Sequence, residues 1–158
     1  MKTYRHYGSE AFDYAALKDS VTEPITPTAS DKPPGLWASP VNSQLNWYDW
    51  CMREEFYTER LQTYFDFTIK EDSRILDIYE EEDIIPYIIK DPFRLSMPHH
   101  IKERRTDIGD KYNLEKLFEE YDGMELHLDD NYAALRYTIF YTWDVDSIVI
   151  WNPDIIIP

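Results

Sequence analysis

Three short stretches of this 158-residue chain carry residue types suited to chemistry on a small ligand. Near the start, Tyr4-Arg5-His6-Tyr7 runs into Gly8, so a guanidinium and an imidazole stand beside a glycine that lets a ligand approach the backbone. In KPPGLWASP, residues 32–40, Trp37 and Ser39 lie two positions apart. On a strand they share a side, offering an aromatic face for stacking and a hydroxyl for hydrogen bonding. In WDVDS, Asp144 and Asp146 stand at i and i+2, which on a strand points both carboxylates the same way. Such a D-x-D pair suits a divalent ion, and a single carboxylate suits a cationic sugar transition state. Each stretch also has a plain structural reading: a packed histidine, a core tryptophan, and aspartates opening a strand.

The elements that must position these groups follow from local pattern. TYRHY reads as a first strand closed by Gly8-Ser9, and GLWAS as a second, with Leu36 and Ala38 turned to the core. NWYDWCMREEFYTERL has helical spacing, with Asn46 or Ser43 as cap. TYFDFTIK alternates, with Phe65, Phe67 and Ile69 on one face, and RILDIY is a further strand. EEEDIIPYIIKD reads as a helix with an acidic start, and Pro86 fits it only in a first turn. NLEKLFEEY is a helix capped by Asn113, MELHL a strand carrying a solvated His127, and SIVIWN the clearest strand of all. DDNYAALRYTIFYTW fits a helix or a strand equally well. Residues 20–34 form a proline-rich loop and 91–111 a long loop with the basic residues Lys102, Arg104 and Arg105. The order predicts a single mixed α+β domain over 1–158 rather than a parallel βαβ ladder.

Composition narrows the function classes. Net charge is −15, with 31 carboxylates against 16 basic residues, which argues against binding duplex DNA. A single cysteine, Cys51, rules out an internal disulfide and a cysteine zinc cage and reads as a buried thiol. With only four glycines the chain holds no glycine-rich phosphate cradle, and no G-x-S-x-G elbow is present. His99 and His100 are adjacent, so their rings diverge and do not chelate. No apolar run reaches membrane-spanning length, and the N-terminal stretch has no apolar signal core, so a cytoplasmic protein is expected.

Taken in order, the motifs resemble the ADP-ribosyltransferase superfamily, especially its small, divergent phage and bacterial members. YRHYGS is similar to that family's early strand bearing His or Arg. GLWAS looks like its aromatic-and-serine strand, YDGME like its D-G step, and IVIWNPDII like its closing strand. The resemblance implies an α+β split sheet with short helices. It also implies that NAD is the cofactor-like substrate, that glycosyl transfer passes ADP-ribose to a macromolecular acceptor, a protein, and that no metal is required. Arg5, Tyr7, Trp37 and Ser39 would then bind NAD, and His6, Asp144 and Asp146 would serve catalysis. The family places a glutamate at the front of the last strand, and Ser147 stands there instead. The alternative expectation is an acidic, non-enzymatic inhibitor or interaction protein, phage-encoded, that engages a basic protein surface.

Overall fold

The computed structural model describes residues 1–22, 32–91, 105–107 and 109–158. The proline-rich loop expected over 20–34 and the long loop over 91–111 therefore lie largely outside the described residues, as do His99, His100, Lys102 and Arg104. The chain order is β1 (Tyr4–Tyr7), α1 (Tyr14–Thr22), β2 (Leu36–Pro40), α2 (Trp47–Glu54), β3 (Tyr64–Ile69), β4 (Ile75–Ile78), β5 (Ile88–Ile89), β6 (Lys111–Tyr112), α3 (Leu114–Glu120), β7 (Gly123–Leu126), α4 (Tyr132–Leu135), β8 (Ser147–Ile150) and β9 (Ile156–Ile157). The fold is mixed α+β. Seven strands form one curled sheet in the order β4-β7-β8-β2-β1-β3-β9, and β5 pairs with β6 apart from it. Only β4 and β7 run parallel; every other neighbour pair in that sheet is antiparallel.

Alternation along the central strands divides the apolar residues between the two faces of the sheet. One face carries Tyr4, Ala38, Phe67, Ile148 and Ile150, covered by Leu17 of α1 and by Ile155 and Ile156 near the C-terminus. The other carries Met124, Leu126, Val149 and Trp151, covered by Leu117 of α3, Leu135 of α4, and Ile139, Phe140 and Trp143 beyond it. Asn46 caps α2 by accepting from the Asp49 amide, and Asn113 caps α3 through the Lys116 amide.

Two segments differ from their local patterns. EEEDIIPYIIKD is not one helix: it makes two 3₁₀ turns, Glu81–Asp83 and Ile85–Tyr87, and then β5. Pro86 sits inside the second turn, where its missing amide costs least and a long helix cannot continue through it. The ambiguous segment after residue 129 makes a 3₁₀ turn and one short α-turn, then irregular chain that presents Leu135, Ile139, Phe140 and Trp143 to the core. The apolar tail docks: β9 pairs with β3, with Ile156 opposite Ile69.

The chain crosses from α3 to β7 at Asp122, which is buried and ties three segments together. Its carboxylate accepts from the Arg74 amide (2.9 Å) and Nη2 (3.0 Å) and from Asn152 Nδ2 (2.9 Å). Its carbonyl accepts from the amides of Trp151 and Asn152. Burial works to raise the carboxyl pKa, but the hydrogen bonds from Arg74 and Asn152 outweigh it and hold the group below the ordinary range. The stabilisation is present above about pH 4 and is lost as pH falls through the depressed folded-state pKa. Asp122→Ala is expected to cost about 2–4 kcal/mol at pH 7 and to flatten the acid limb of a stability-against-pH curve measured by denaturant unfolding.

Candidate functional site

Gly35 sets the geometry of the second strand. It has φ +146°, a conformation L side chains rarely adopt, and a Cβ there would sit 2.4 Å from the Ile150 carbonyl oxygen. The bare backbone lets β2 pair closely with β8, with Leu36 opposite Ile150 and Trp37 opposite Val149. Alternation then sends Leu36 and Ala38 to the core under α1, and Trp37 and Ser39 to the other face. There they border a cleft of about 310 Å³, within the size range of small-molecule sites.

The cleft floor comes from three adjacent strands. Arg5 and Tyr7 project from β1, Trp37 and Ser39 from β2, and Ser147 from the first position of β8. Asp144 and Trp143 enter from the irregular chain before β8. Trp47, Tyr57 and Arg60 close the far side. Trp37 is half-buried: its ring meets Trp143 edge-on at 4.6 Å, and its Nε1 donates to the Pro33 carbonyl. Ser39 is buried, and its hydroxyl accepts from the Trp47 amide at the first turn of α2. The loop behind the far wall holds two non-glycine residues at positive φ, Glu55 (52°) and Tyr57 (47°). Strain of about 1–3 kcal/mol per such residue persists only where packing over-determines it. Here Phe56 between them is wedged edge-on against both Trp47 and Trp50.

His6 lies beside the cleft, but its ring faces the other way. It opposes Phe65 across β1 and β3 and packs at 5.3 Å from that ring. Its Nδ1 donates to the Trp37 carbonyl at 2.7 Å, since a carbonyl only accepts. The histidine therefore braces the Trp37 backbone. Arg5 shares its face with Ser39 and Asp66, its register partners. It forms a two-point pair with the Asp66 carboxylate (2.6 and 2.8 Å) and lies 3.9 Å from the Tyr64 ring centroid. The Arg5 hydrogen bond holds the Asp66 carboxyl below its usual range.

The two aspartates separate. Chain 143–146 is not a strand, so the i, i+2 rule does not apply. Asp144 faces the cleft. Burial raises its pKa; Lys32 opposes that shift, and Glu54 adds to it. The Lys32 ammonium stands 5.1 Å from the Trp37 ring centroid, and loss of water there lowers its own pKa against the pull of Asp144. Asp146 does not line the cleft: it accepts from Ser43 Oγ (2.7 Å) and from the Asp129 amide (2.8 Å), clasping two loops together. Among the described residues the D-x-D pair belongs to no metal-holding group. Cys51 is fully buried, and burial, with Asp144 adding, pushes its thiol up to about 11, so it stays protonated at neutral pH.

Of the seven residues singled out from sequence, Arg5, Tyr7, Trp37, Ser39 and Asp144 face one cleft, His6 borders it with its ring turned away, and Asp146 stands outside it. Lys32, Trp47, Tyr57, Arg60 and Trp143 complete the walls. No local spacing marks them, because their meeting depends on how α2, the strained loop and the chain before β8 fold over the sheet. Gly35→Ala is expected to cost at least about 2 kcal/mol in denaturant unfolding and to perturb the fluorescence of Trp37, because the new Cβ must push β2 off β8. Asp146→Ala frees the Ser43 and Asp129 loops and is expected to lower stability by about 1–3 kcal/mol.

Comparison of the chain with protein-family models, with curated proteins and with solved structures finds no match to any of them.

Proposed function

We propose that the cleft binds the nicotinamide end of NAD and that the protein is an ADP-ribosyltransferase-like enzyme. The observation that carries this reading is spatial. The four motifs whose chain order resembles that superfamily (YRHYGS, GLWAS, YDGME and IVIWNP) lie on β1, β2, β7 and β8 respectively, which are contiguous in the sheet. Three of those strands, β1, β2 and β8, supply the cleft floor. An aromatic ring, a guanidinium, a buried hydroxyl and a carboxylate with a raised pKa meet there.

The residues then have defined work. Trp37, with Tyr7 nearby, offers a face on which the nicotinamide ring stacks. Arg5 supplies donors for phosphate or ribose oxygens once its exposed pair with Asp66 opens. Cleavage breaks the bond between ribose C1 and the nicotinamide nitrogen. The bonding electrons leave with the ring, which departs neutral, and positive charge develops on the sugar. Ionised Asp144 stabilises that charge, most effectively in the dry setting that raises its pKa. The acceptor's nucleophile attacks C1 and gives up its proton to the Asp144 carboxylate. A second cleft of about 610 Å³ shares Trp143 and Asp144 with the first, which gives a macromolecular acceptor a route to the same carboxylate.

A second reading, a non-enzymatic interaction protein that retains the cleft, is favoured by Ser147. It stands where the family carries glutamate, is buried, and spends its hydroxyl on the Val145 carbonyl. The two readings separate in one experiment. Calorimetric titration with NAD and a nicotinamide-release assay are run on wild type, Asp144→Asn and Trp37→Ala. The enzyme reading expects release that Asp144→Asn slows by roughly 100-fold with little change in NAD affinity, while Trp37→Ala weakens binding. Wild-type activity should fall as pH drops through the raised Asp144 pKa, since the ionised form is required. Binding without release supports the second reading. Absence of NAD binding at about 1 mM overturns the assignment of the cleft.

A further inference from the structure

We propose that Asp77, Glu125 and His127 form a binding site for one divalent transition-metal ion, Mn²⁺ or Zn²⁺, on the sheet face opposite the cleft. The site follows from strand register. β4 and β7 are parallel neighbours with Asp77 paired to Glu125. The His127 amide donates to the Ile78 carbonyl at 2.9 Å, which extends the pairing one step past β7. Two residues along an extended chain return to the same face, so His127 joins Glu125 and its partner Asp77. Glu125 also pairs with Ile148, whose side chain belongs to the core under α1, whereas Ser147 of the same strand faces the cleft. The proposal therefore does not rest on the NAD reading.

One ligand atom from each of the three residues lies within 4.8 Å of the other two. His127 Nε2 and Asp77 Oδ1 are 2.8 Å apart, close to the roughly 3 Å that separates neighbouring ligands around an ion with bonds of about 2.1 Å. The ligands are held from behind, as metal ligands usually are. Glu125 is buried, and its Oε2 accepts the Tyr4 hydroxyl at 2.8 Å. His127 stacks on Tyr79 with centroids 4.0 Å apart and planes within 4°. Asp77 is exposed on the solvent side, which leaves an entry path and room for water ligands.

The buried Glu125 carboxylate is neutralised by Lys2, whose ammonium pairs with Oε1. That ammonium is half-exposed on a flexible stem, so a stronger cation can replace it. One imidazole and two carboxylates favour an intermediate ion over the all-oxygen preferences of Mg²⁺ and Ca²⁺. Binding requires His127 to free Nε2 of its proton, so the proton moves to Nδ1 or is released.

The test is calorimetric titration of the whole chain with MnCl₂ and with ZnCl₂. One ion per chain is expected, weakened roughly tenfold or more by Asp77→Asn and by His127→Ala, and tightened by Lys2→Ala because a competing cation is gone. Asp77→Asn changes an exposed side chain and keeps the fold, which circular dichroism checks, so the test survives if His127→Ala unfolds. No bound ion at about 1 mM metal, or affinity unchanged in Asp77→Asn, overturns the proposal.

Discussion

The close pairing of β2 between β1 and β8 is the constraint on which the rest of the molecule depends. It works only because Gly35 has no Cβ to strike the Ile150 carbonyl. Once that pairing is made, pleat alternation assigns every side chain of three central strands to a face. Leu36, Ala38, Ile148 and Ile150 seal the core under α1, while Trp37, Ser39 and Ser147 are left to border a concavity. The core under α1 on one face, and on the other a second core with a ligand-sized hollow beside it, are consequences of a single register.

Around that register the polar groups divide into those that hold the frame and those left over. Asp122 and Asp146 are spent on backbone amides and side-chain donors, and the ionised form of Asp122 stabilises the fold. His6 braces the carbonyl of Trp37 from the opposite face. Asp144 is different. Among the described residues it receives no such donors; it loses water and is left with a raised pKa beside Lys32. A partly desolvated carboxylate facing a cavity is the kind of group that reactive sites contain, whereas a saturated one is the kind that scaffolds contain.

The sheet also keeps its two polar clusters apart. The cleft occupies the face of β1, β2 and β8 that also receives α2 and the strained loop. The Asp77, Glu125 and His127 trio sits across β4 and β7 on the other face, tied to the first strand through Tyr4. His127, expected from alternation to be a solvated strand histidine, is instead half-buried, with Nε2 bonded to Asp77 and its ring stacked on Tyr79. The reason is non-local. Asp77 comes from β4 and Tyr79 from the residue just after it, about fifty residues earlier, and no property of MELHL announces them.

Local pattern by itself determined the faces of β2 and β3 and the starts of α2 and α3. Phe65 and Phe67 alternate with polar residues, Trp37 and Ser39 with Leu36 and Ala38, and Asn46 and Asn113 satisfy free amides within three residues. Those are short-range consequences of backbone geometry, so the chain carries them wherever it goes. Tertiary structure alone decided which faces meet, and it decided against local expectation where the chain leaves regular geometry. Asp144 and Asp146 part because 143–146 is not a strand, and EEEDIIPYIIKD breaks at Pro86 into turns. Tyr57, Arg60 and Trp143 reach the cleft only because distant segments fold over the sheet. Spacing encodes direction along one element; proximity between elements depends on the buried area and hydrogen bonds of the whole.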